Sequence, residues 1–324
     1  MHSIQLLGSY FNGAPLTWQY LFSQLVAGLT LGSQYALLAL GYSMVYGILK
    51  LLNFAHGEVF MIGSYIGYFV LTALGGPISS SVPIVLLIAL LFLAGMLGSG
   101  LLGVVIERFA YRPLRRATRI APLISALGVS FFLQQTAAIL FGATPKQYNP
   151  FSLDGGRLFD RITIGSFAIQ YVQLFVILFA GVLMVVLIQL VTRTRMGKAM
   201  RATSYDLEAA SMMGIDIDRV IVFTFFIGSA LAGAAGVMNG LVYSNVYPTV
   251  GFNDGLRAFT AAVVGGIGSI PGAMVGGVAI GIAQSLAIGY LSSGYQDVIV
   301  FGVLIVFMLI RPSGLFGTPV LQKV

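Results

Sequence analysis

Seven runs without Asp, Glu, Lys or Arg divide this chain: residues 1–49, 59–106, 120–145, 162–192, 220–253, 258–296 and 298–310. The runs are continuously apolar, without the alternation that a lipid face and a polar lumen impose on a membrane β-barrel. A helical crossing of a bilayer needs about 20 apolar residues. About eight crossings therefore fit, near Tyr20–Ile48, Leu51–Leu74, Pro83–Ile106, Ala121–Phe141, Ile169–Val191, Val220–Leu241, Ala258–Gly289 and Val298–Ile310. The segment from Ala258 to Gly289 is long for one crossing and short for two, which predicts a re-entrant or broken helix. The pattern predicts an all-α fold, a polytopic helical membrane protein forming a single domain over 1–324.

Two loops hold most of the basic residues. One carries Arg108, Arg112, Arg115, Arg116 and Arg119; the other carries Arg193, Arg195, Lys198, Arg201 and Arg219. The segment from Gly142 to Phe167 has only Lys146, Arg157 and Arg161, partly offset by Asp154 and Asp160. The excess of positive charge in the two loops places both in the cytoplasm. That leaves room for two crossings between them, as the apolar pattern independently supplies. The short N-terminus then lies outside. Counting three crossings after residue 220 would leave Arg311 outside too, whereas Arg311-Pro312-Ser313-Gly314 reads as a cytoplasmic exit, so the C-terminus is expected inside.

Composition agrees with this reading. Charged residues make up 8 % of the chain and mean hydropathy is +0.95, too apolar for a soluble domain of this length. The net charge of +7 follows the loops and marks topology, not nucleic-acid binding. Cysteine is absent, which excludes disulfides and thiolate metal sites. The N-terminus lacks the basic region and cleavage site of a secretory signal.

The polar island Arg193–Arg219 concentrates charge, about a third of its residues, between two uncharged runs. Thr203, Ser204 and Asp206 supply helix N-cap oxygens, and Gly214 stands where a left-handed C-terminal cap belongs. Asp206 and Glu208 fall in the first turn, favourable to the helix dipole. A short helix over about Ser204–Met213 is expected, with the next helix starting at Asp216 or Asp218. So short a helix is marginal alone, and its apolar side (Leu207, Ala210, Met213) suits docking into a groove. The plainer reading is a solvated loop whose charges only set orientation.

The island also carries a resemblance. Glu208-Ala209-Ala210 followed by Gly214 resembles the EAA loop of ABC importer permeases, the coupling helix that sits in a cleft of the ATP-hydrolysing subunit. The wider text GKAMRATSYDLEAASMMGIDIDRV is similar to the form in LivH-type permeases of branched-chain amino acid importers. So are Thr30–Leu37 with Gly41–Gly47, Asn53–Glu58 with Met61–Tyr65, Glu107–Pro113, and Phe259–Ala273. The similarity runs from about residue 20 to 324. The Leu-Pro that ends the motif in many other importers is absent here.

The resemblance implies a permease domain with a cytoplasmic coupling loop at 193–219, in which Arg201, Asp206, Glu208, Ala209 and Gly214 engage an ATPase. It further implies a second homologous permease, two ATP-binding subunits and a periplasmic solute-binding protein, in a multi-pass protein of the bacterial cytoplasmic (inner) membrane in contact with lipid. The cargo would be branched-chain amino acids moving inward. Urea, amides or other amino acids are alternatives, because uncharged helices do not identify the solute. No G-x4-G-K-[ST] loop occurs, so ATP hydrolysis is expected on separate subunits and this chain is expected to be no enzyme, to hold no cofactor and to bind no nucleic acid. An ATP-independent transporter is the competing class. Such proteins place ionisable groups at mid-membrane, and these runs are nearly charge-free.

Two polar breaks are candidates for the translocation path. Gly265–Gly281 holds seven glycines and Pro271, and proline breaks or kinks a helix. Gly268, Ser269 and Pro271 therefore mark either a broken helix at the path or, with Gly272 and Gly276, a tightly packed helix seam. Asn53, His56 and Glu58 form the other break. Nearby Lys50 favours an interfacial, helix-starting role, and one histidine with one carboxylate is too small a ligand set for a metal. Asp254 with Arg257, and Asp297, read as rim or pairing residues.

Overall fold

A computed structural model describes residues 18–74, 84–115, 117–118, 120–148, 160–164 and 167–317. The charges called at Arg116, Arg119, Asp154 and Arg157, and the placement of the N-terminus, lie outside these residues. The helices are α1 (Trp18–Leu49), α2 (His56–Leu74), α3 (Ile84–Ile106), α4 (Ile120–Phe141), α5 (Tyr171–Arg193), α6 (Arg195–Tyr205), α7 (Leu207–Met212), α8 (Ile217–Tyr243), α9 (Val250–Gly265), α10 (Ile270–Tyr290) and α11 (Gln296–Ile310). A wide turn at Glu107–Tyr111 and a tight one at Arg112–Leu114 extend α3. Eight helical segments among the described residues are long and apolar enough to cross a membrane. The chain is a polytopic helical membrane protein.

The centre is α1 and α8, buried over most of their length, while α4, α5 and α11 turn Leu, Ile, Phe and Val side chains outward. Lipid offers no hydrophobic drive between helices, so close backbone approach holds the seams. Along α1 and α10, a Cβ on Gly277 would overlap the Ala36 backbone, and one on Gly281 would overlap Gly32. Where α2, α3 and α8 meet, Gly63 lies against Gly233, and Ser99 Oγ donates to the Val59 carbonyl at 3.2 Å.

The run after residue 220 resolves differently from its apolar boundaries. Ala258–Gly289 is two helices, α9 and α10, folded back at Gly266–Ser269. The first starts early, at Val250, and so takes in Asn253, Asp254 and Arg257. At the turn, Gly268 lies beside Gly47 near the end of α1. Beyond α11, Leu315 N and Phe316 N donate to the Val264 and Gly265 carbonyls at 2.9 and 3.0 Å. The ends of α1, α9 and α11 therefore share one face, hereafter the basic face. Because α9 runs to that face before α10 leaves it, the parity conflict goes and Arg311 at the end of α11 lies on that face.

The opposite face carries what little strand there is. Strand β1 (Lys146–Gln147) pairs antiparallel with β4 (Asn245–Val246), and β2 (Arg161–Ile164) with β3 (Phe167–Gln170). The first pair ties the α4–α5 connection to the end of α8. Tyr148 N donates to Ser244 O at 2.9 Å, and the Tyr148 ring is buried against Gly67 and Gly240. Burial raises its phenol well above the ordinary value, so it packs as a neutral ring.

Candidate functional site

On the basic face the island is two helices, not one. Thr194 turns the chain: its Oγ1 accepts from Gly197 N at 3.0 Å and caps α6. Gly197 sits so near the Leu190 and Val191 carbonyls that a side chain there would clash. Thr203 and Ser204, expected as caps, instead lie inside α6. Thr203 is buried, and Ser204 Oγ donates to Arg201 O at 2.8 Å. Packing of Met200 and Thr203 onto the bundle outweighs their capping preference.

Asp206 is the cap of the second helix. Its Oδ1 accepts from Glu208 N at 2.8 Å and Ala209 N at 3.1 Å, satisfying two of the first-turn donors. Gly214, at φ 81, closes the other end, with Ile215 N donating to Ala210 O at 3.1 Å. That is the closure a left-handed glycine permits. Asp216 Oδ1 accepts from Arg219 N at 3.1 Å and starts α8. The expected helix is thus present and shorter, Leu207–Met212.

Of its anticipated apolar stripe, Ala210 turns inward at 4 % exposure, while Leu207 and Met213 stay out. Tyr205, Met212 and Met213 are 97, 85 and 83 % exposed. Glu208 and Ala209 are exposed beside them. Arg201 points away from this tip and its Nη1 donates to the Val191 carbonyl, capping the end of α5. Replacing Asp206 by Ala should cost the short helix about 1 kcal/mol, and Gly214→Ala roughly 1–2 kcal/mol through its left-handed backbone. Hydrogen exchange at amides 208–215 should quicken in both variants, with the rest of the chain unchanged. Unchanged exchange would mean the caps do not hold this helix.

Behind the tip lies an ion network that the sequence reading did not find. Arg115 bridges Glu107 and Asp218, the latter at 2.5 Å, and Arg112 also pairs with Asp218. Glu107 is fully buried. The network joins the extension of α3 to the first turn of α8, directly after the island. Its signal in the sequence was one acidic residue at the edge of each basic loop.

The island and the glycine turn meet. Arg201 and Ser204 share a cleft of about 90 Å3 with Gly268, Ile270 and the end of α1. Ser269 caps α10, accepting from Gly272 N at 3.2 Å, and Pro271 stands in the first turn of that helix, where its missing donor costs nothing. Pro271 thus opens a helix after the break instead of kinking one. Gly272 and Gly276 face the α9 backbone, whereas Gly268 lies in the turn at φ 92.

Asn53, His56 and Glu58 do not join this cluster, and the interfacial position expected for them is overturned. After Lys50 (φ 55) the chain climbs back along α1. His56 packs against Gly41, eight residues and about 12 Å before the end of α1 at Leu49. The three residues start α2 inside the bundle, all buried. Tyr111 Oη donates to Asn53 Oδ1 at 3.0 Å, and Ser130 Oγ donates to Glu58 Oε1 at 3.1 Å. Tyr111 Oη also lies 3.3 Å from the Leu52 carbonyl, so the extension of α3 serves the backbone where it climbs within the bundle.

A polar cavity of about 490 Å3 occupies the opposite half of the molecule, among α1, α8, α9, α10 and α11. Arg257 crosses its wall, with Nη1 donating to Asp254 Oδ1 at 2.9 Å and Nε to Asp297 Oδ1 at 2.8 Å. These pairings agree with the sequence reading; the cavity beside them was not foreseen. Its only prior sign was polar residues (Gln284, Gln296) within apolar runs. Burial first, and the Asp254 carboxylate second, raise the Tyr247 phenol at its mouth, keeping it neutral.

The family model described as "Branched-chain amino acid transport system / permease component" matches residues 24–309. The chain is 44 % identical over 310 residues to the high-affinity branched-chain amino acid transport system permease protein BraD of Pseudomonas aeruginosa, covering 96 % of this chain and all of that one. It is 43 % identical over 309 residues to the permease protein LivH of Escherichia coli (strain K12), covering 94 % and 98 %. The ribose import permease protein RbsC of Haemophilus influenzae is more distant, 24 % identical over 248 residues, 74 % of this chain and 72 % of that one. With the family's segments laid over all the crossing helices described above, this chain belongs to the permease component family of the branched-chain amino acid transport system.

Proposed function

We propose that this chain is the membrane-spanning subunit of an ABC importer that moves branched-chain amino acids inward across the bacterial cytoplasmic membrane. The basic face is then cytoplasmic, and the tip formed by α7 is where an ATP-binding subunit docks. The observation that carries this reading is the tip itself. A six-residue helix capped at both ends, together with the residues flanking it, leaves Tyr205, Leu207, Met212 and Met213 exposed. Exposing that much apolar surface is unfavourable without a partner, and an amphipathic helix laid in a groove is the matching mode.

The path from tip to membrane is short. Helix α7 is followed by Gly214 and then α8, whose first turn holds Asp218 in the ion network with α3. Helix α6 meets the Gly268 turn between α9 and α10. Displacement of the tip by an ATPase would therefore reach the central helix α8 and the α9–α10 hairpin together. A second homologous permease, two ATP-binding subunits and a periplasmic solute-binding protein complete the proposed assembly. Specificity would rest mainly on the binding protein.

An ion-driven carrier draws some support from Glu58, Asp254 and Arg257, charges held within the helix packing. Reconstitution separates the two readings. The complete assembly in proteoliposomes should take up labelled leucine, isoleucine and valine only with ATP, and omission of the ATP-binding subunits should abolish uptake. Uptake by this permease alone along a proton or sodium gradient would overturn the proposal.

A further inference from the structure

We infer that the cavity beside Arg257 is a solute site, built for the zwitterionic head and aliphatic side chain of an α-amino acid on its way through the membrane. The inference rests on the importer reading above. It assigns to this permease a recognition step of its own, in addition to any made by a binding protein.

The head-group end of the cavity has vacancies of both signs. Asp254 Oδ1 is paired with Arg257, but among the described residues Oδ2 has only Asn239 Nδ2 at 3.5 Å, a long contact. Tyr35 Oη also reaches Oδ1 at 3.5 Å but makes its shorter bond, 2.9 Å, to Gln284 Oε1. A carboxylate accepts about four hydrogen bonds, so Asp254 retains room for a donor such as an ammonium group. Arg257 spends Nε on Asp297 and Nη1 on Asp254 and also faces the Tyr35 hydroxyl. A guanidinium has five N–H donors, so it can still offer one to a carboxylate. The first turn of α9 also lines the cavity and no side chain caps it, so the positive end of a helix adds to the attraction for an anion. An ammonium acceptor and a carboxylate donor thus stand one helical turn apart, and an α-amino acid carries both groups on one carbon.

Leu31 from α1, Val250 from α9 and Ile288 from α10 supply an aliphatic part of the wall, beside Tyr243, Tyr247 and the uncharged amides of Asn245, Asn253 and Gln296. That uncharged remainder gives a second charge on the solute no ionic partner, and its aliphatic part receives a branched hydrocarbon. Two carboxylates share one guanidinium, yet Asp297 is half exposed at the rim, so the interior offers a near-balanced pair, fitting a neutral zwitterion better than a cation. Toward the basic face, Tyr42 packs edge to face on Phe259, which Phe54 meets at a tilt, and the Tyr42 hydroxyl lies near Gly255.

The test uses the complete importer with its loaded binding protein at saturation, in proteoliposomes. Ile288→Trp fills the aliphatic wall without touching an ion pair. It should lower leucine uptake at least about tenfold and valine uptake less. Asp254→Asn should slow leucine and valine equally, and Asp254→Glu should restore part of the rate. Wild-type leucine uptake in both Ile288→Trp and Asp254→Asn would overturn the solute site and leave the importer standing. Equal losses of leucine and valine in Ile288→Trp would also overturn it, since a merely structural defect does not sort solutes by size. A wild-type assembly that carries no amino acid would sink both readings.

Discussion

Met212→Asp with Met213→Asp should cost the assembly its ATP-binding subunit while leaving the permease folded. Both side chains are more than four-fifths exposed and make no core contact, so the melting temperature of the isolated chain should not move. In a groove, each buried methionine contributes about 1.5–3 kcal/mol. Losing both removes about 3 kcal/mol or more, roughly 100-fold in affinity, before the desolvation of two carboxylates is counted. Co-purification of the ATP-binding subunit and ATP-driven leucine uptake should fall together. Normal uptake in the double variant would leave the exposed tip without a purpose.

The second large effect lies behind the tip. Arg115→Met strands Glu107, whose side chain is fully buried and shares Arg115 with Asp218. Removing one partner of a buried ion pair costs about 3–5 kcal/mol, because the other charge is left without compensation. Arg115→Met should therefore unfold at lower temperature and accumulate poorly. Glu107→Gln added to it should recover most of the loss, since the amide needs no counter-charge. Arg112→Met, whose pair with Asp218 is half exposed, should cost less than about 1 kcal/mol. Equal losses in the Arg115 and Arg112 variants would show that burial of Glu107 is not what holds this corner together.

Much of this architecture can be read from the chain before it is folded. Continuous apolar runs marked most crossings, arginine and lysine marked the shared face, and Asp206 and Gly214 marked the ends of the short helix because cap chemistry is local. The misses are long-range. Arg257 looks like the end of a span until Asp297, forty positions on, neutralises it beside Asp254. With that pairing α9 can start at Val250, and the long segment has room for two helices. Helix α6 was hidden because Thr203 and Ser204 have the chemistry of caps, while burial of Met200 and Thr203 against α1, α5 and α8 decides their conformation. His56 was misplaced because Lys50 is close in sequence, whereas the chain doubles back along α1 between them. Of the cavity only stray amides such as Gln284 and Gln296 showed, since five helices contribute to it and none carries its pattern alone.

The most direct test of the account exploits the absence of cysteine from the chain. Met212→Cys creates a single thiol on the exposed tip, which can be capped with a polyethylene-glycol maleimide before the ATP-binding subunits are added. The uncapped variant should assemble and import leucine with ATP, and capping should abolish both ATPase binding and uptake. Undiminished import by the fully capped protein would contradict it, because no ATPase could then be docking on α7.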